Sequence, residues 1–477
     1  MKTITCVLLL LFSITATSGI TSAQSLDSLL RDAYRNNPQL QSAGHQIEAA
    51  ASRAAAAGAL PAPSLGIEFS QVPFGSADIV NGAVSNNISF SQMLMLGGKL
   101  SAMQEMEKIR GSRFEHVQES LLVRIRANVK MNYVRLWRID RQIEFQHRTI
   151  RLLEELGASL RSRLATNRTR SADVLVVESE IESERARLDE LSAQRMNAQN
   201  ALAALCAPQV QASRPSMRMG TLDTARMEMN GRGSGRADLR RLLGSLNGGY
   251  AIVPDSVLPA PPAELSEEAL AENLLAYNPS LQAMEHMKLM NEAGIAAANK
   301  ELIPDVMLQA MVMRMPNGMI LTSGARSAEA VAQSAMGMPM GKTEWMYSLM
   351  ASVTLPFMPW SSQRSTARAD EMRSLNLSVD AEERTMQREM LAQLRSSLNT
   401  YRMQDSLARR YGSRVVPLAL QAAEAQTVAY QTGQAPLQSV IDARRMVIMK
   451  QDDYLMAIMN QHMALIELEM MVGVPLQ

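Results

Sequence analysis

The sequence predicts a mainly α-helical chain with a membrane β-barrel portion, organised as a duplicated strand-strand-long-helix repeat. Three observations predict it. "NNPQLQSAGHQIEAAASRAAAAGALPAPSL" (Asn36 to Leu65) aligns without a gap with "YNPSLQAMEHMKLMNEAGIAAANKELIPDV" (Tyr277 to Val306), which brings Pro38 onto Pro279 and Pro63 onto Pro304. Each half holds two short alternating segments. Each half then holds a very long helical pattern, and aromatics are only 4% of a chain dominated by helix formers.

The elements follow in order. "MKTITCVLLLLFSITATSGITSAQ" has Lys2, an apolar run from Val7 to Ile14 and small residues at Thr21 and Ala23, so 1–23 is expected to be a secretory signal. No later stretch has the roughly 18 apolar residues of a spanning helix. Cys6 leaves with the signal and Cys206 then stands alone, which excludes an intrachain disulfide and suits a small buried residue. Lys+Arg 48 against Asp+Glu 47 offers no basic surface for nucleic acid or anionic lipid.

The first repeat is expected over 24–207. A helix starts at Pro38, a residue suited to a first turn, and runs to Leu60. In "SLGIEFS", Leu65, Ile67 and Phe69 oppose Ser64, Glu68 and Ser70; in "NISFSQ", Ile88 and Phe90 oppose Asn87, Ser89 and Ser91. These give strands at about 63–72 and 86–93, with a loop marked by Pro73, Gly75, Asn81 and Gly82 between them. After Gly97-Gly98 a helix without Pro covers about 98–164, a rod of roughly 100 Å. The polar turn "TNRTRSAD" starts a returning helix at about 172–205, half as long. The Pro38 helix nearly makes up the difference, so the two shorter helices should stack end to end beside the long one.

A Gly-, Pro- and Arg-rich linker occupies 208–264, with "RADLRRLLGSL" as its one helical segment, and is expected to pack as an equatorial segment around the middle of the rod. The second repeat, 265–477, has a helix from Pro279 to Ile303, strands at about 304–315 and 345–356, and long helices at about 361–429 and 437–471 around a turn at Thr432-Gly433. Pro417 should kink the second long helix where the first is straight.

Four short strands cannot close a barrel, and an open edge is untenable in lipid. Trp345 and Tyr347 begin the apolar face of the last strand as an interfacial girdle would. Pooling strands from several chains around one axis solves the edge problem; three chains would give twelve strands and twelve helical columns.

Together with the signal, the "NPQL" and "NPSL" helix starts, "SFSQMLMLGGK", the turns "TNRTRSADVL" and "YQTGQAPLQSVIDARR" and the terminal "LEMMVGVP", these features resemble the TolC family of outer-membrane efflux channels across nearly the whole chain from Gln24. The resemblance implies a homotrimer with a 12-stranded barrel in outer-membrane lipid and an α-helical tunnel through the periplasm. It implies docking onto a periplasmic adaptor and an inner-membrane pump, expected to be of the RND type, with no catalytic chemistry, no cofactor and no nucleic-acid partner. The helix-helix turns would then be the periplasmic tips that form the gate and meet the adaptor, at Thr166, Asn167, Arg168 and Asp173 and at Thr432, Gly433 and Leu437. Turn chemistry alone also accounts for Asn167 and Gly433. Arg161, Arg163, Arg168 and Arg170 beside Asp173 suit either gate salt bridges or a solvated charged end.

No nucleophile elbow, phosphate loop or zinc motif occurs, and His45, His116, His147, His286 and His462 lack metal-site spacing. Of the 36 methionines, those at helical spacing (Met386, Met390, Met446, Met449, Met456, Met463, Met470) read as core. Along "PDVMLQAMVMRM" and "WMYSLMASVTL", however, Met307, Met311, Met313, Met315, Met346 and Met350 share a face with the polar residues, which in a barrel is the lumen. The loop between adds Met336, Met338 and Met340. Soft thioethers facing water suit weak, exchanging contacts with Cu(I) or Ag(I), as in the heavy-metal (CusC- and CzcC-like) branch; a general methionine bias is the other reading. A multidrug or type I protein secretion channel is the alternative within the family, and an exported coiled-coil scaffold without a pore is the alternative outside it.

Overall fold

The computed structural model describes residues 25–72, 74, 77–166, 170–206, 254, 257–262, 265–316 and 343–476. The signal segment, nearly all of the linker with its "RADLRRLLGSL" segment, Asn167, Arg168 and the loop methionines Met336, Met338 and Met340 lie outside the described residues. The elements run α1 (Leu26–Asn36), α2 (Pro38–Ala57), β1 (Ser64–Ser70), α3 (Ile79–Gly82), β2 (Ser85–Leu94), α4 (Lys99–Ala165) and α5 (Ser171–Cys206). The second series is α6 (Glu267–Tyr277), α7 (Pro279–Lys300), β3 (Val306–Met315), β4 (Glu344–Val353), α8 (Pro359–Arg410), a π-helical turn (Tyr411–Val415), α9 (Val416–Gln431) and α10 (Leu437–Val472).

The chain forms two compact units. The first comprises Met1–Gly44, Val117–Ser280 and Met386–Gln477, and its described secondary-structure elements are all helices. Its core gathers Leu29 of α1, Ile125, Tyr133 and Leu136 of α4, and Leu202 and Cys206 of α5. The Cys206 side chain is fully enclosed, and burial pushes its thiol up to about 12, so it stays protonated and acts as a small apolar residue.

The Asn-Pro pairs that phase the duplication have a shared physical role in this unit. Asn37 and Asn278 take extended backbone, ψ 120° and 116°, as a residue before proline must. Each side-chain oxygen accepts the N–H two residues on, Gln39 or Ser280, at 2.9 Å, which caps the helix that Pro38 or Pro279 opens. Asn278 Nδ2 also donates to the Met471 carbonyl at 2.6 Å, and the neighbouring Asn36 Nδ2 donates to the Cys206 carbonyl at 3.0 Å. Each returning helix therefore ends where a Pro-initiated helix begins, as the end-to-end arrangement requires. Periodicity missed α1 and α6, eleven residues each, although Ser25 and Ser266 cap them in the ordinary way.

Where a kink is expected at Pro417, the long helix passes through a π-helical turn, Tyr411–Val415, just before the proline. Pro417 has no N–H for the carbonyl of Ser413, and its ring crowds that group. The backbone widens into a π turn from Tyr411, the Val416 N–H reaching the Tyr411 carbonyl, and α9 resumes with Pro417 in its first turn. Met446, Met449 and Met456, expected in the core, are exposed along one side of α10.

The second unit comprises His45–His116 and Leu281–Thr385 and holds a four-stranded antiparallel sheet in the order β1-β2-β3-β4. The two repeats meet at the β2–β3 pair, Asn86↔Arg314 through Leu94↔Val306. Below the sheet Lys99 Nζ meets Asp305 Oδ1 at 2.7 Å, largely buried, and ties the first turn of α4 to the approach to β3. Gly97, in left-handed backbone with φ 69°, turns the chain from β2 into α4, and a Cβ there would collide with the Ile303 side chain.

Candidate functional site

The register sorts every strand residue onto one of two faces, because directly paired residues in a pleated sheet point the same way. One face carries the rows Leu65–Phe90–Ala310–Leu349 and Ile67–Ile88–Val312–Tyr347. Leu65, Tyr347 and Leu349 are 70%, 82% and 78% exposed, so among the described residues this apolar surface is uncovered. The row at its end, Phe69–Asn86–Arg314–Trp345, is aromatic and polar, and Arg314 donates to Asn81 Oδ1 at 3.3 Å. An apolar band closed by aromatic and polar residues is the outward face of a membrane strand.

The opposite face carries Glu68–Asn87–Met313–Met346, Gly66–Ser89–Met311–Ser348 and Ser64–Ser91–Gln309–Met350. Met93–Met307–Ser352 and the pair Met315–Glu344 extend it at either end. The structure thus gathers all six strand methionines singled out from the sequence on one polar face and adds Met93, which alternation within its own strand did not bring forward. Among the described residues, β1 and β4 each have one unpaired edge. A surface apolar on one side, polar on the other and open at both edges needs further strands to satisfy its backbone.

In the helical unit, the helices that flank the two turns share one core: Leu153 and Leu160 of α4, Val174 and Ile181 of α5, and Leu437 and Ile441 of α10. Leu437, a candidate partner contact, is therefore turned inward. Thr166 Oγ1 donates to the Arg163 carbonyl at 3.0 Å, and Thr432 Oγ1 donates to the Val428 and Ala429 carbonyls at 3.1 Å, so both hydroxyls close helix ends. Asp173 sits in the first turn of α5, where a carboxylate is favoured by the helix dipole. Of the arginine cluster, Arg161 pairs with Glu178 at 3.7 Å and Arg163 lies over the Tyr430 ring at 5.9 Å.

Two features of this region were not legible in sequence. Leu175 and Val176 stand exposed beside the first turn. Arg445 of α10 grips the buried Glu180 of α5 through Nε at 2.8 Å and a guanidinium nitrogen at 2.5 Å. Arg445→Ala is expected to cost about 1–3 kcal/mol, because Glu180 is left buried without its cation; solvent at the half-exposed Arg445 puts the value toward the lower end. A thermal melt against Arg445→Lys, which keeps the charge, measures it. Gly433 has φ 78° with open space around a notional Cβ, so Gly433→Ala should cost only its backbone strain, about 1–2 kcal/mol, in the same assay.

These faces and turns define a class: a duplicated strand-strand-long-helix chain with one two-faced, open-edged sheet and one long-helix unit. Residues 29–207 match the family model described as outer membrane efflux protein. The chain has the fold of a crystal structure of CusC, with 17% identity and a TM-score of 0.66 over 94% of this chain and 92% of that one. It likewise matches the outer membrane protein VceC of Vibrio cholerae (16%, 0.65, 95% and 97%). The MtrE outer membrane channel of Neisseria gonorrhoeae, in its open state, gives 17%, 0.65, 95% and 89%. No curated protein sequence matches at the significance required. The first repeat thus matches the outer membrane efflux protein model, and the chain as a whole shares the fold of these outer membrane channels.

Proposed function

We propose that the protein is the exit duct of a tripartite efflux system, a homotrimer that conducts substrate passively from a periplasmic adaptor and an inner-membrane pump, of the RND type, to the outside. The observation that carries this reading is the two-faced, open-edged sheet. Three copies side by side supply twelve strands, place the Leu65–Leu349 and Ile67–Tyr347 rows against lipid and turn the Gly66–Ser348 and Glu68–Met346 rows to a water-filled lumen. The paired turns, with Thr166, Asp173, Thr432 and Gly433 at their ends and Leu175 and Val176 exposed beside them, are the periplasmic tip and the adaptor contact in this reading. Asn167 and Arg168 belong to the same turn in sequence.

For the substrate we propose soft monovalent metal ions, Cu(I) or Ag(I). Thioethers along a polar face support this choice, since soft sulfur donors suit a soft cation. Growth of a deletion strain on copper, silver and a panel of drugs tests it. Sensitivity to the metals alone, reversed by the wild-type gene, is the expected result; sensitivity to drugs alone would assign the duct to drug export.

A further inference from the structure

The row Glu68–Asn87–Met313–Met346 combines groups that have no structural need of one another. Met313 and Met346 are directly opposed, which places their Cβ atoms about 4.5–5.5 Å apart, a separation from which two flexible thioethers can close on one ion. Met311, two residues along the same strand and diagonal to Met346, brings a third sulfur within reach. Asn87 is 93% buried by virtue of its 7% exposure, and its Nδ2 donates to Glu68 Oε2 at 3.3 Å, which fixes the amide's orientation. Its Oδ1 is then left buried without a hydrogen-bond partner on the same face as the sulfurs. An orphaned carbonyl oxygen costs stability unless something cationic or protic meets it. Glu68 puts a negative charge at the end of the row, and Glu344, paired with Met315, puts another in the next row.

We propose that this row is a binding site for a soft monovalent cation, Cu(I) or Ag(I), held by the Met313 and Met346 sulfurs with Met311 as the adjoining thioether, and drawn in by the Glu68 charge and the Asn87 Oδ1. Neutral thioethers bind such ions without the proton release that thiolates require. The site holds cargo weakly, as a conducting path needs, and rests on the reading of the sheet as a lumenal wall. Met93 and Met307, directly opposed roughly 20 Å away toward the helical end, repeat the sulfur pair and make a second station on the same face.

The test uses the purified full-length protein in detergent, with Ag(I) binding followed calorimetrically and Cu(I) binding by competition with a coloured chelator. Met313→Leu/Met346→Leu, which keeps side-chain volume, should weaken binding at the described row at least tenfold, and Glu68→Gln should weaken it severalfold. Planar-bilayer conductance should be unchanged in both variants. Wild-type protein that binds neither ion, or a double variant that binds like wild type, overturns the site while leaving a conducting duct in place. Loss of conductance in the wild type would instead remove the duct reading on which the site rests. Should the double variant fail to assemble, Met346→Leu alone is measured in the same way, with a severalfold loss expected and an unchanged affinity counting against the site.

Discussion

Leu349→Arg should abolish recovery of the protein as a detergent-stable assembly from the outer-membrane fraction, whereas Ser348→Arg, its sequence neighbour, should leave recovery above half the wild-type level. Leu349 lies in the middle row of the apolar face, opposite Ala310, and is 78% exposed in the chain. An arginine at the bilayer midplane of a membrane barrel costs about 2–4 kcal/mol, and a trimer carries that cost in every protomer. Ser348 faces the other way, in the row of Ser89 and Met311, where in the barrel reading a charge meets water. Equal loss in both variants would mean that the two faces do not have opposite surroundings, and the barrel reading would fail.

Acidification should destabilise the helical unit through His462. This imidazole is buried on α10, and burial lowers it to about 4. In the unfolded chain it titrates near 6.5. Between those values the unfolded state takes up a proton that the folded state refuses, so stability is intact above about pH 6.5 and falls as the pH drops toward 4. The full effect is about 3 kcal/mol per chain. Thermal melts at pH 7.5 and 4.5 should therefore differ more for the wild type than for His462→Leu, which has no proton to gain. Identical pH sensitivity in the two proteins would show that His462 is not buried as described.

Much of this architecture could be read from residues alone, for definable reasons. Strand periodicity of two is unambiguous when Ile67, Phe69, Ile88 and Phe90 alternate with Ser, Glu and Asn, and the same parity placed Met311, Met313 and Met346 on the polar face before any register was known. The duplicated Asn-Pro pairs fixed the phase of both repeats because the capping geometry they build admits few substitutes. Long-range pairings were not legible. Arg445 and Glu180 are far apart in sequence, and each sits among other charges of its kind. The inward turn of Leu437 and the outward display of Met446 and Met449 depend on which helix lies opposite, which hydrophobic spacing within one helix cannot report. Asn87 read as one more polar strand residue; its orphaned oxygen emerges only when Glu68 takes the other end of the amide.

The claim on which the rest depends is that this four-stranded sheet is one third of a membrane pore wall. Reconstitution of the purified protein into planar bilayers, with its mass determined in the same detergent, addresses it most directly. The expected result is a particle of three chains that inserts with discrete, ohmic conductance steps. A stable single chain, or a trimer that leaves the bilayer insulating, would contradict it.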